Sequence, residues 1–208
     1  MKKTRIIGIF LCAVICAGTI IGILCSGVSA ASVSFDEVVN AASDIIRSNE
    51  GSYASVNPND NGALSVGWLQ WHGNRALNLI KSIVSADTAK AKSLLGDTLY
   101  KEVTTAANWS MRILTADEKS RISALMDTSA GHTEQDKLAY SDISVYINHG
   151  MTLGITDPSA LVFFADIENQ CGSGGSTRVA SSAISAAGSA EKVTLTAVSY
   201  THLTLPTR

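Results

Sequence analysis

The fold is decided by residues 50–72, which read EGSYASVNPNDNGALSVGWLQWH. The stretch combines three glycines, three asparagines and a proline with three aromatic residues and two carboxylates. Asn57–Gly62 must turn, because proline fixes φ and because Asn, Asp and Gly tolerate left-handed conformations. Such a turn folds the chain back, and we expect it to bring Asp60 towards Glu50 across a cleft.

An amphipathic pattern precedes this stretch. Apolar residues recur at helical spacing between Phe35 and Ile46, and Ser34 is a suitable N-cap. The pattern predicts a helix over residues 34–48. Glu50 would then lie just past the end of a core-facing helix, where a rigid element can hold it.

Two carboxyl groups beside aromatic side chains suit glycoside hydrolysis. In that reaction one carboxyl donates a proton to the leaving oxygen, and a second, ionised carboxylate activates or positions water. We expect Tyr53, Trp68 and Trp71 to desolvate the acid, since an apolar pocket raises the pKa of a carboxyl, and to stack on sugar rings. Asp60 has an alternative explanation, because turns recruit aspartate for conformational reasons alone.

The stretch resembles the catalytic core of the lysozyme-like superfamily in two ways. The pattern of lytic transglycosylases and goose-type lysozymes is matched by Glu50, Ser52, Tyr53, Asn57-Pro58, Gly62-Ala63 and Gly67-Trp68-Leu69-Gln70. The pattern of phage-type lysozymes is matched by Glu50-Gly51, Asp60, Gly62 and Ser65-Val66-Gly67. The segment between Tyr53 and Gly67 follows neither pattern fully, so the role of Asp60 stays open.

The resemblance implies a mainly α, lysozyme-like fold with a small β-hairpin beside the active-site cleft. It implies that Glu50 is the general acid, that Ser65 and Gln70 support it or the substrate, and that the substrate is peptidoglycan or a related β-1,4-linked amino-sugar polymer. The product-forming step would be hydrolysis by water positioned by Asp60 or Ser65, or attack by the sugar's own hydroxyl, as in lytic transglycosylases. A non-catalytic wall-binding protein and a chitosanase-like hydrolase are the alternatives.

Further candidate substrate contacts lie inside and outside the stretch. Gly67, Trp68, Gln70 and Trp71 are joined by His72, which is equally explained as a hydrogen-bonded loop histidine. Members of the superfamily often place a Tyr-Asn pair from a later helix near the acid. Candidates for that place here are Asp166 and Asn169, which share a helix face, with residues 146–148 as the rival.

No cofactor or metal is expected. Asn57, Asn59 and Asn61 imitate the start of a calcium loop, but its twelfth position is Trp68 rather than the bidentate glutamate that such a loop requires. Cys171 invites a Cys/His peptidase interpretation, for which His149 is one of the possible partners. We favour a buried or incidental thiol at Cys171.

The N-terminus reads as a secretory signal over residues 1–30. Basic residues at positions 2, 3 and 5 precede an apolar run from Ile6 to Leu24, and Val28-Ser29-Ala30 offers small residues for cleavage. We expect a secreted or cell-surface protein that meets the membrane only through this segment. An uncleaved anchor is the alternative, because the apolar run is long.

Residues 31–197 are expected to form the single catalytic domain. They carry 12 basic and 18 acidic side chains, a net charge of −6, and a nucleic-acid surface would instead be basic. Residues 198–208 read as the translation of a transposase sequencing adapter, so we expect the natural chain to depart near Ala197 and the domain to be truncated there.

The remaining helices follow from periodicity and capping signals. Helices are predicted over Gly73–Val84, Asp87–Leu95 (closed by Gly96), Thr98–Ala107, from the capping box Thr115–Glu118 to Met126, over Thr133–His149 (stopped by Gly150), from Asp157-Pro158 through a buried Ala160–Gln170, and over residues 177–188. We expect Cys171–Ser176 to separate the last two helices, and a final helix to start near Glu191.

Overall fold

The computed structural model describes residues 33–204, with side chains up to Thr201. The predicted signal segment, residues 1–30, lies outside the described residues. The described chain is mainly helical with one small antiparallel sheet, which confirms the mainly α fold class. Between residues 33 and 204, no helix is both long enough and apolar enough to cross a membrane.

Seven α-helices and three strands make up this part of the chain. In order they are α1 (Phe35–Glu50), β1 (Val56–Asp60), β2 (Ala63–Val66), β3 (Trp71–His72), α2 (Asn74–Ala86), α3 (Thr88–Thr105), α4 (Ala116–Met126), α5 (Ser129–Thr152), α6 (Pro158–Ala187), a 3-10 turn (Ala190–Lys192) and α7 (Leu195–Thr204). The described chain divides into two compact units, one formed by residues 33–49 together with residues 143–204, and the other by Glu50–Asp142.

The sheet belongs to the unit Glu50–Asp142. Its strands follow the order β1-β2-β3, and both pairings are antiparallel. The predicted hairpin is therefore confirmed and extended by a third strand. A loop after α3 also joins the sheet: Leu64 N donates to Arg112 O at 2.8 Å, and Leu114 N donates to Pro58 O at 3.1 Å.

Helices α2, α3 and α4 follow the predicted local signals, whereas α5 begins at Ser129 and not at the predicted Thr133. Thr115 and Glu118 form the predicted capping box at the start of α4. Gly96 interrupts α3 with φ 71° and ψ 164°, so the predicted boundary there is confirmed. Apolar side chains of α2, α3 and α4 form the core of this unit, among them Leu77, Ile80, Ile83, Leu95, Leu99, Ile122 and Leu125.

Helix α6 is the main buried element of the other unit. Asp157 caps its start by accepting from Ala160 N at 2.7 Å, and Pro158 occupies the first turn, as predicted. The predicted six-residue interruption is narrower than expected. Gly172 alone leaves helical geometry, with φ 70° and ψ 174°, and the helix resumes directly after it.

Gly150 does not stop α5, and that prediction was wrong. The helix continues to Thr152, and Gly154 follows with φ 88°. A Cβ atom at Gly150 would lie 2.8 Å from Leu161 Cδ2 and 2.9 Å from Phe164 Cδ1. This glycine therefore permits close packing of α5 on α6 and does not act as a helix terminator. The final helix also differs from its prediction, since a 3-10 turn occupies Ala190–Lys192 and α7 begins at Leu195.

Candidate active site

Glu50 ends the helix that leads into the sheet. It is the last residue of α1 and not the first residue beyond it, and its side chain is exposed. Helix α1 is favoured at its start by the acidic side chains of Asp36 and Glu37 in its first turn. Ser34 and Glu37 also form a reciprocal cap: Glu37 N donates to Ser34 Oγ at 3.3 Å, and Ser34 N donates to Glu37 Oε2 at 2.7 Å. The chain passes from Glu50 to β1 in five residues.

Asp60 and Ser65 form a hydrogen-bonded pair on adjacent strands. Ser65 is fully buried, and its Oγ donates to Asp60 Oδ2 at 2.8 Å. Asn61 Nδ2 donates to the other carboxylate oxygen at 3.3 Å, and His72 Nε2 donates to the Asp60 carbonyl at 2.8 Å. Asp60 thus makes more specific contacts than a plain turn residue requires, and His72 supports the hairpin from β3.

Trp68 and Trp71 were predicted to stack on sugars, and the structure contradicts this prediction. Their side chains are 1% and 4% exposed, and the two rings meet edge to face with centroids 6.1 Å apart. Trp71 Nε1 donates to Asp142 Oδ2 at 2.9 Å, and Arg75 pairs with the same carboxylate. Burial removes both ring faces from solvent, so these residues build the core beneath the sheet.

Tyr53 is held by α5. Its ring stacks on His132 at a centroid distance of 3.9 Å, and its hydroxyl donates to Asp136 Oδ1 at 2.7 Å. The ring remains half-buried. Tyr53 is therefore the one of the three predicted aromatic contacts whose side chain stays partly accessible.

Gly67 and Gln70 shape the turn between β2 and β3. Gly67 is buried with φ 73°, and Gln70 has φ 53°, a left-handed value that is uncommon for a residue with a side chain. Gln70 Nε2 donates to Gly67 O at 2.7 Å, which stabilises this turn. The predicted substrate contact at Gly67 is corrected, because a buried glycine offers a sugar no surface.

Asp166 and Asn169 belong to the other unit, on α6. Asp166 is buried and accepts from Gln170 Nε2 at 2.9 Å, while Asn169 is half-buried one turn further along. Their predicted contact with substrate remains a prediction.

A partly buried polar network joins α5 and α6, and the sequence did not predict it. His149 Nδ1 lies 2.6 Å from Glu168 Oε2, which also accepts from Ser176 Oγ at 3.0 Å. His149 Nε2 lies 3.3 Å from Thr177 Oγ1, whose own hydroxyl donates to Ser173 O at 2.6 Å. The threonine proton is thus engaged elsewhere, and the network ties α5 to α6 on both sides of Gly172. The available signal was Glu168 itself, a glutamate that follows the apolar residues 160–165 and lies next to Ile167 in α6.

Cys171 does not form the pair that a cysteine peptidase needs. Its Sγ donates to Ile167 O at 3.0 Å, and both ring nitrogens of His149 contact other residues. Burial raises the pKa of the Cys171 thiol, with Glu168 adding to the effect and Arg178 opposing it. The raised pKa favours the protonated, less reactive thiol, although the residue itself is exposed.

The described residues contain no group of three or more His, Cys, Asp or Glu side chains that could hold a metal ion. In comparisons with known proteins, no family model, no curated protein and no solved structure matched this chain.

Proposed function

We propose that this protein is a secreted glycosidase of lysozyme-like type that cleaves peptidoglycan or a related amino-sugar polymer, with Glu50 as the general acid. The proposal rests on one observation: the helix that ends at Glu50 leads within a few residues into an antiparallel sheet in which Ser65 donates to Asp60. The same order of acid, aspartate and hydroxyl residue underlies the resemblance to phage-type lysozymes.

In the proposed reaction, Glu50 donates its proton to the glycosidic oxygen as the bond to the anomeric carbon breaks. Glu50 is the last residue of α1 and lies next to the segment that leads into β1. Water then attacks the cationic anomeric carbon and passes a proton to Asp60. The hydrogen bond from Ser65 orients the Asp60 carboxylate for this role.

The Asp60–Ser65 pair favours hydrolysis over transglycosylation. An inverting hydrolase needs a second carboxylate that positions water, and a lytic transglycosylase does not, since the sugar's own hydroxyl attacks. In inverting enzymes the two carboxyl groups lie roughly 6.5–9.5 Å apart, which leaves room for that water.

A non-catalytic wall-binding domain is the second candidate. It is favoured by the exposure of Glu50 and by the burial of Trp68 and Trp71, because neither tryptophan then walls off the carboxyl from solvent. Binding without cleavage would use the same segment, residues 50–72.

The test compares the wild-type chain with Glu50→Gln and Asp60→Asn on purified peptidoglycan, followed by mass spectrometry of the released fragments. Asp44→Asn is the matched control, because Asp44 is an exposed carboxylate on the same helix. We expect Glu50→Gln to lower turnover about 10²–10⁴-fold, with the control unchanged.

The products separate the possible reactions. Reducing ends support the hydrolase, anhydro ends support the transglycosylase, and cut peptides would overturn the glycosidase. Equal turnover by wild type and Glu50→Gln would remove Glu50 from the role of acid. Sedimentation with the polymer in the absence of any product would favour the wall-binding candidate.

A further inference from the structure

Gln135 is a fully buried polar residue on α5 whose amide contacts three separate segments. Its Oε1 accepts from Trp68 N at 3.3 Å. Its Nε2 donates to Met126 O at 3.0 Å and to Tyr53 O at 3.3 Å. Burying an amide is unfavourable unless its polar groups are paired, and here donors and acceptor are both used.

Two of these contacts lie on either side of the β1–β2 hairpin, Val56–Val66. Tyr53 precedes the hairpin and Trp68 follows it, so both ends of the segment that contains Asp60 and Ser65 are tied to one side chain. Gly67 N also donates to Ser55 O at 2.8 Å, which closes the base of the hairpin. The third contact, to the end of α4, fixes the amide itself.

The turn after β2 is shaped to accept this amide. A Cβ atom at Gly67 would lie 2.4 Å from Gln135 Oε1 and 2.8 Å from the Trp71 ring. Real Cβ contacts are never that short, so no other residue fits at Gly67 while Gln135 keeps its place. The glycine and the glutamine therefore form one packing arrangement.

We propose that Gln135 is a positioning residue: it holds the β1–β2 hairpin in place and so keeps the Asp60–Ser65 pair in the orientation that the proposed reaction requires. The consequence for turnover rests on the function proposed above; the effect on the hairpin does not. An apolar residue of similar size cannot replace Gln135, because Tyr53 O and Met126 O would lose the hydrogen bonds that its amide donates.

The decisive variant is Gln135→Glu. An ionised carboxylate keeps an acceptor for Trp68 N but turns an oxygen towards the two carbonyl groups. Protonation at acidic pH restores one donor. Ala139→Gly is the control: Ala139 is buried one turn further along α5 and makes no side-chain hydrogen bond, and glycine there destabilises the helix by a general backbone effect.

The first readout is amide hydrogen exchange at Leu64 and Gly67, measured relative to amides of α2. We expect Gln135→Glu to speed exchange at both positions at neutral pH about tenfold more than the control does, and the excess to shrink as pH falls. Equal exchange in the two variants would overturn the proposal.

The second readout is the split between kcat and KM on soluble peptidoglycan fragments. Misplacing a catalytic group by about 1 Å can lower the rate on the order of 100-fold, so we expect a kcat loss of that order for Gln135→Glu, KM nearly unchanged, and recovery at acidic pH. A kcat equal to that of Ala139→Gly in fully folded protein would also overturn the proposal. Faster exchange together with an inactive wild type would refute the glycosidase and leave Gln135 as the residue that holds the hairpin.

Discussion

Ser65 Oγ donates to Asp60 Oδ2 at 2.8 Å, although the backbone pairs Ser65 with Asn57 and Asp60 with Ala63. The register between these two pairs is irregular, and this irregularity lets the last residue of β1 reach a buried hydroxyl on β2. The pairing gives an otherwise ordinary turn aspartate a fixed orientation. The Asp60–Ser65 pair is the feature of the sheet that most resembles part of a catalytic site.

Replacing Ser65 should destabilise the protein by removing its hydrogen bond to the Asp60 carboxylate. We expect Ser65→Ala to lower the free energy of unfolding by about 1–3 kcal/mol, measured by urea denaturation at neutral pH. Ser65→Thr keeps the hydroxyl and suits a strand, so it should lose less. An alanine variant as stable as the wild type would show that the Asp60 contact contributes nothing.

Gly150 and Gly174 should respond to alanine with opposite signs. Gly150→Ala places a methyl group against Leu161 and Phe164, and we expect the free energy of unfolding to fall by about 1–3 kcal/mol from overpacking. Gly174 lies in the second half of α6 with nothing within 4 Å of an added Cβ. Gly174→Ala should therefore stabilise by roughly 0.4–1 kcal/mol. Thermal unfolding of the two variants measures both changes. A Gly150→Ala variant as stable as the wild type would mean that the packing of α5 on α6 adjusts to the added methyl group without cost.

Acid should destabilise the protein partly through Glu118. Hydrogen bonds from Arg112 lower the pKa of Glu118 below its usual 4.5, and the capping contacts of Thr115 add to the effect. The pKa of Glu118 is lower in the folded state than in the unfolded state. Its contribution to the free energy of unfolding is therefore complete above the unfolded-state pKa, and it is lost as the pH falls through the folded-state pKa. Glu118→Gln should lose less unfolding free energy than the wild type between about pH 6 and about pH 3. Parallel losses in the two proteins would contradict this assignment.

Cys171 should behave as a slow thiol. Since burial raises the pKa of Cys171, the thiolate fraction at about pH 8 should be smaller than that of a free cysteine with a pKa near 8.5. We expect the Cys171 thiol to react with a disulfide reagent more slowly than glutathione does. We also expect the Cys171→Ala variant to cleave glycan as fast as the wild type. Loss of activity in this variant, with released amines, would revive the peptidase interpretation.

Residues 50–72 show how far sequence patterns reach into the site. The turn at Asn57–Gly62 and the strand after it follow from backbone preferences, so the hairpin was predictable. The burial of Trp68 and Trp71 was not predictable, because an aromatic residue in a turn-rich stretch suits a sugar surface and a core equally well. The partners that decide the matter, Gln135 and Asp142, lie more than sixty residues along the chain.

The sequence by itself determined the features whose interactions span a few residues: the capping box at Thr115, the helix start at Pro158 and the break at Gly96. Their energies depend on local dihedral angles and neighbouring backbone groups, which the local sequence specifies. Only the tertiary structure decided that Gly150 serves close packing, that His149 meets Glu168, and that Gln135 joins both ends of the hairpin. Those contacts unite distant segments, and hydrophobic periodicity records that a side chain is buried without recording against which partner.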